Sequence, residues 1–101
     1  MKQDIFEQYS ETICKKYDIT IDELYSDSRE IRITDARYML YYLCYNRPMT
    51  LKHIQNYLSR AGKSVVHSTI IYGINKIKEQ MVHDDDLRKV VLDLMEENNG
   101  L

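Results

Sequence analysis

Residues 59–78 constrain most strongly what this chain can fold into. The stretch reads Ser-Arg-Ala-Gly-Lys-Ser-Val-Val-His-Ser-Thr-Ile-Ile-Tyr-Gly-Ile-Asn-Lys-Ile-Lys. Gly62 predicts the left-handed end of one helix near Ala61, and Ser64 is a residue type that caps the start of a second helix. In that second helix, apolar residues recur every three or four positions and predict a stripe facing a core: Val66, Ile70, Ile74 and Ile77. The stretch therefore predicts two helices joined by a short turn.

Two helices joined in this way, with small polar residues opening the second, form a helix-turn-helix. That motif places the N-terminal end of its second helix in the major groove of DNA. We expect His67, Ser68 and Thr69 to face base edges, and the Thr69 methyl group suits a thymine methyl group. Exposed amides at the start of the helix suit phosphates. Side chains expected to add phosphate contacts are Lys52, Lys63, Ser64 and Lys76.

The rest of the chain predicts further helices. Apolar residues repeat every four positions over residues 1–17, and residues 35–45 are dense in apolar and aromatic side chains. Residues 26–33 are predicted to be a loop, and residues 96–101 a frayed polar tail. The expected helix caps are Thr20 with Glu23 as a capping box, Thr50 for the first helix of the motif, and Asp84 for the last helix. We therefore predict one all-α domain of about six helices over residues 1–101.

Charge is segregated along the chain, although the net charge is only -2. Counting Lys and Arg against Asp and Glu, residues 1–27 carry -4, residues 28–78 carry +7 and residues 79–101 carry -5. A basic middle that contains the helix-turn-helix favours an anionic partner. The alternative is that the three segments neutralise one another within one compact domain.

The motif also resembles a known family. His67-Ser68-Thr69-Ile70-Ile71, preceded by Arg60-Ala61 and a glycine-containing turn, resembles the signature of the C-terminal DNA-binding domain (domain IV) of the bacterial replication initiator DnaA. The resemblance runs from about Tyr17 to Leu94 and is to that domain alone, without the ATPase that precedes it in the initiator. It implies a Trp-repressor-like fold and origin-box binding, in a bacterial or phage protein.

The resemblance also implies a basic loop before the third helix, with an arginine near its end that enters the minor groove. Arg29 and Arg37 match basic positions of that loop, whereas Arg32 stands in a different register. These three arginines are candidates for minor-groove or phosphate contacts, or else ordinary solvated or ion-paired side chains. Acidic and apolar residues replace basic ones at Glu30, Ile31 and Asp35.

A second departure from the family lies next to the recognition residues. The initiator family carries Arg-Asp directly before His-Ser-Thr, where this chain has Val65-Val66. We expect Val66 on the core stripe and Val65 exposed at the groove. Loss of an arginine that can bind a base with two hydrogen bonds costs about 1–3 kcal/mol of discrimination. The sequence therefore predicts altered or weakened specificity.

The residues do not indicate a catalytic, metal or cofactor site. His53, His67 and His83 lie on separate elements without a carboxylate or cysteine at ligand spacing, and no phosphate-binding glycine loop is present. We predict no enzyme activity, no metal site, no cofactor and no small-molecule substrate. Without an apolar run of membrane length or a signal peptide, and with two cysteines expected to be reduced, we expect no membrane association. The expected location is cytoplasmic, or nucleoid-associated if the chain binds DNA.

Two functions from different classes remain open. The first is a stand-alone domain that binds double-stranded DNA and is of regulatory or mobile-element origin. The second is a degenerate initiator-like module that binds a protein or forms a homodimer through a tyrosine-rich face, for which Tyr38, Tyr41 and Tyr45 are the candidates. A continuous positive face would favour DNA, and it would join Arg29, Arg37, Lys52, Lys63 and Lys76.

Overall fold

Six helices make up the fold in a computed structural model that describes residues 2–97. They are α1 (Lys2–Tyr17), α2 (Ile21–Leu24), α3 (Ile31–Tyr45), α4 (Leu51–Arg60), α5 (His67–His83) and α6 (Asp85–Glu97). No strand occurs in this range, so the prediction of an all-α fold with about six helices is confirmed. None of the six helices is both long and apolar enough to span a bilayer.

Helix α3 lies at the centre and packs against each of the other five helices. Its buried residues Met39, Leu40, Leu43 and Cys44 have almost no exposed surface. Both cysteines are free and buried, and burial raises the pKa of the Cys44 thiol. The central position expected for this helix follows from its apolar residues, which cover more than one face.

Three helix starts follow the predicted capping chemistry. The Thr20 hydroxyl accepts from the Glu23 amide at 3.1 Å, and the Glu23 carboxylate accepts from the Thr20 amide at 2.9 Å. Thr50 caps α4 by accepting from the His53 amide at 3.1 Å. Asp84 ends α5, and its Oδ1 accepts from the Leu87 amide at 3.0 Å at the start of α6. These caps fix the helix starts because each one satisfies an amide that has no partner within its helix.

The start of α3 differs from the prediction. The helix begins at Ile31, whereas the sequence predicted a loop through Ile33 and a first turn at Thr34 and Asp35. Ile33 is buried three residues before Ala36, on the same face of the helix. The apolar period of α3 therefore extends back to Ile33, but the charged residues around Ile33 made this segment resemble a loop in the sequence.

The other end of the chain and the tyrosines also differ from expectation. Glu96 and Glu97 belong to α6, and the rest of the predicted tail lies outside the described residues. The predicted tyrosine face does not form, because Tyr41 is fully buried and Tyr38 is half-buried, while Tyr45 is exposed. Tyr41 faces α5 in the interior rather than a partner.

Candidate nucleic-acid interface

The connection between α4 and α5 spans residues 61–66 and begins with a Schellman motif. The Gly62 amide donates to the Ser59 carbonyl at 3.0 Å, and the Lys63 amide donates to the Leu58 carbonyl at 2.9 Å. Gly62 adopts φ +92°, the left-handed conformation predicted for it. This motif stops α4 and turns the chain toward the start of α5.

The second half of this connection corrects two predictions. Ser64 does not cap α5, because the N-cap is Val66 and no side chain caps the helix. Val65 is only 7% exposed and Val66 is 60% exposed, the reverse of what we expected. The chain stays extended through Val66, so consecutive side chains point in opposite directions. Gln55 holds this extension by donating from Nε2 to the Val65 carbonyl at 2.9 Å.

The first turn of α5 presents its polar side chains to solvent. His67, Ser68 and Thr69 are all exposed, whereas Ile70 and Ile74 are buried against the core. Because no side chain caps this helix, the amides of its first two residues are left for water or for an anion, at the positive end of the helix dipole, whereas the Thr69 amide donates to the Val66 carbonyl at 3.1 Å. The three predicted recognition residues are therefore all accessible in the first turn of α5.

A loop from Ser26 to Glu30 lies beside this turn and is held by two cations. Arg37 Nη1 donates to the Ser28 carbonyl at 2.5 Å, and Arg37 Nη2 donates to the Ser26 carbonyl. Lys63 Nζ donates to the same Ser26 carbonyl at 2.8 Å and lies 3.4 Å from Asp27 Oδ1. These bonds tie the loop both to α3 and to the helix-turn-helix.

The prediction that Arg37 contacts DNA is wrong for this geometry. The residue is only 8% exposed, and its Nε also donates to the Leu24 carbonyl at 2.8 Å. Burial lowers the pKa of the Arg37 guanidinium, and Tyr41, Asp27 and Tyr38 offset part of this shift. The Lys63 side chain is likewise only 12% exposed, and its ammonium binds the loop at Asp27. The sequence missed this role because the carbonyls that hold Arg37 lie 9 to 14 residues earlier.

A cleft of about 650 Å³ separates the loop from the start of α5. Arg29 lines its loop side and is exposed, while Val66 and Thr69 line its α5 side. Thr34 and Tyr38 of α3 form part of its wall. Thr34 was not among the residues that the sequence singled out for this site.

The remaining predicted cations are spread over the surface. Lys52 is exposed on α4. Arg32 lies 3.8 Å from the Glu30 carboxylate, and Lys76 is half-buried. Burial raises the pKa of the Asp35 carboxyl, and the positive charge of Lys76 lowers it in part. The five cations proposed for a continuous positive face therefore do not form one, since Arg37 and Lys63 point into the loop.

This arrangement, a helix-turn-helix with an exposed second-helix start beside an arginine-bearing loop, defines a module of the DNA-binding helix-turn-helix class. The chain belongs to the family described as the bacterial dnaA protein helix-turn-helix, whose model matches residues 6–77. In that family the module binds DNA and is not catalytic by itself. The predicted resemblance is confirmed.

Individual relatives agree with the family. The chain is 34% identical over 85 residues to the chromosomal replication initiator protein DnaA of Streptococcus thermophilus, covering 81% of this chain and 17% of that protein. It is 31% identical over 88 residues to the DnaA protein of Geobacter sp. strain M21, covering 87% of this chain and 18% of the relative. The chain thus spans less than a fifth of the length of these relatives.

A solved structure has the same fold. The crystal structure of a DNA replication initiation factor superposes with a TM-score of 0.79 and 24% sequence identity. The match covers 96% of this chain and 29% of the other.

Proposed function

We propose that this chain binds double-stranded DNA through the first turn of α5, with a base preference that differs from that of the initiator. The observation that carries the proposal is the exposed, uncapped start of α5 at the end of a helix-turn-helix. His67, Ser68 and Thr69 lie there with the first amides of the helix, and this end enters the major groove in the motif.

The flanking contacts follow from position and exposure. Arg29 lies on the opposite side of the cleft from Thr69 and is assigned to the minor groove or its phosphates. Lys52, Ser64 and Lys76 are assigned to phosphates. Arg32, paired with Glu30, would change partners on binding. Lys63 and Arg37 are assigned to positioning the loop that carries Arg29.

The altered preference rests on Val65 and Val66. The first side chain is buried and the second is apolar, so neither donates a hydrogen bond to a base. Where an arginine reads guanine, its absence removes about 1–3 kcal/mol of discrimination. We therefore expect a duplex carrying the initiator box to bind no more than about tenfold better than a scrambled duplex.

Binding of a protein partner is the second proposal, and one observation favours it. Ile31 is 77% exposed at the rim of the loop, and the nearby residues Asp27 and Glu30 are acidic. An apolar residue beside carboxylates is poorly suited to a phosphate backbone. A homodimer formed by this surface would be lost on Ile31→Asp, as sedimentation would measure.

Fluorescence anisotropy of labelled duplexes across salt concentrations tests the DNA proposal. We expect affinity to fall steeply as salt rises, and Lys52→Ala to reduce the slope of log K against log salt by about 1. His67→Ala and Arg29→Ala should weaken binding.

Lys89→Ala is the matched control, because Lys89 is exposed on α6, away from the motif. Absence of binding to any duplex at low salt would refute the proposal and favour the second one, binding of a protein partner. Equal loss of affinity in the control would place the DNA elsewhere on the domain.

A further inference from the structure

The start of α5 lacks the side chains that read bases by paired hydrogen bonds. Residues 65–74 read Val-Val-His-Ser-Thr-Ile-Ile-Tyr-Gly-Ile, without Arg, Lys, Asn or Gln. The first carboxamide is that of Asn75, about 12 Å along the helix from His67. Bidentate reading of guanine and adenine depends on those residue types. Side-chain hydrogen bonding by residues 65–74 is therefore limited to the imidazole of His67 and the hydroxyls of Ser68, Thr69 and Tyr72.

Val66 occupies a position that helix stability does not explain. It is the N-cap of α5, with φ -85° and ψ 157°, and valine is among the poorest N-cap residues because it cannot accept an amide hydrogen bond. Its side chain is 60% exposed, so it contributes little to the core. An exposed valine at the helix end that enters the groove can contribute to binding only if the ligand offers it an apolar group to contact.

The neighbouring groups extend the same chemistry. Thr69 lies one turn further along and lines the same side of the cleft, so its methyl group adds to the isopropyl group of Val66. Tyr72 is exposed one further turn along α5, and its ring packs edge-on against Tyr38 at 5.7 Å between centroids. The cleft side of α5 therefore presents the methyl groups of Val66 and Thr69, and the exposed ring of Tyr72 lies one turn beyond them.

We propose that Val66, together with the Thr69 methyl group, makes this domain a reader of thymine C5 methyl groups in the major groove. Thymine is the ordinary base that presents an apolar group there, and apolar side chains recognise it by contact. The inference rests on the proposed function and adds to it the class of site that is preferred, A·T pairs with a thymine methyl group beside the N-cap.

The test separates the methyl group from every other property of the base pair. We would measure anisotropy at one low salt concentration with four duplexes of equal length. One contains A·T pairs, one A·U pairs, one G·C pairs and one G·5-methylcytosine pairs. Uracil differs from thymine only by the missing methyl group, and 5-methylcytosine places a methyl group at the same position of a G·C pair.

The wild-type protein should bind A·T more tightly than A·U, by up to about fourfold for each contacted methyl group. It should likewise prefer methylated over unmethylated G·C. Val66→Ala should reduce both ratios toward one. Val82→Ala is the matched control, because Val82 is 66% exposed near the far end of α5 and should leave both ratios unchanged.

The outcomes distinguish the two levels of the proposal. If A·T and A·U bind equally, or if Val66→Ala keeps the wild-type ratio, methyl reading is overturned while salt-dependent duplex binding still stands. If none of the four duplexes binds, the proposed function itself fails. Since Val66 is exposed, both alanine variants should keep the thermal unfolding midpoint of the wild type, which circular dichroism would verify.

Discussion

Replacing Arg37 by methionine tests the positioning role assigned to this arginine. The methionine keeps a long apolar side chain in the interior and removes every donor to the loop. Arg37 donates to the carbonyls of Leu24, Ser26 and Ser28, and to that of Glu23 at 3.3 Å. The substitution therefore removes the bonds and leaves little cavity.

The expected magnitude follows from which carbonyls lose their donors. The Glu23 carbonyl also accepts from the Ser26 amide at 3.2 Å, and the Ser26 carbonyl also accepts from Lys63. The loss thus falls on the Leu24 and Ser28 carbonyls, at about 1.5–3 kcal/mol for each hydrogen bond from a charged donor. Relief of the buried charge offsets part of this, so we expect a loss of about 3 kcal/mol. That is a large fraction of the roughly 5–15 kcal/mol that stabilises a typical domain.

Urea unfolding followed by circular dichroism measures this free energy. A loss of about 3 kcal/mol should also lower the unfolding midpoint temperature by about 10–20 °C. Arg32→Met is the control on the same helix, because Arg32 is exposed and its pair with Glu30 spans 3.8 Å. We expect the control to change stability by less than about 0.5 kcal/mol. An Arg37→Met variant as stable as this control would refute the reasoning.

Two further predictions concern the interior. Gly73→Ala places a Cβ 2.6 Å from Tyr38 Cδ1 and 2.9 Å from Tyr41 Cδ2. We expect a net loss of about 1–2 kcal/mol in urea unfolding, because overpacking outweighs the better helix propensity of alanine. The matched Gly62→Ala variant meets no atom within 4 Å and should lose about 1 kcal/mol from its positive φ alone; an unchanged Gly73→Ala would contradict the packing argument. Burial raises the pKa of both Tyr17 and Tyr41 from 10.0 to about 12, so the folded state keeps these protons longer than the unfolded state does. The free energy of unfolding should therefore fall as pH rises from 10 to 12. A constant free energy of unfolding over that window, with phenolate absorbance from these two tyrosines already present near pH 10, would contradict this prediction.

Local chemistry in the sequence predicted much of this fold. The caps at Thr20, Thr50 and Asp84 and the turn at Gly62 involve groups within a few residues of one another. Such interactions are encoded by spacing alone, so helix number and most helix starts could be predicted. The family signature around His67 was readable for the same reason.

The candidate site was predicted less completely. The sequence singled out His67, Ser68 and Thr69, and the structure exposes all three at one helix start. It placed Arg37 among the DNA contacts and exchanged the roles of Val65 and Val66. In the sequence alone, an arginine that binds backbone carbonyls looks the same as one that contacts phosphate, because its partners lie elsewhere in the chain.

The sequence by itself determined that this chain is helical and where the caps at Thr20, Thr50 and Asp84 and the turn at Gly62 lie, because periodicity and capping act over a few residues. Only the tertiary structure decided which valine is buried, since that depends on whether α5 begins before or after Val66 and on the bond from Gln55 to Val65. Only the tertiary structure turned Arg37 inward, because the carbonyls of residues 23–28 reach it across the gap between α2 and α3. Burial of a cation is decided by the partners that folding brings to it, and no pattern along the chain records them.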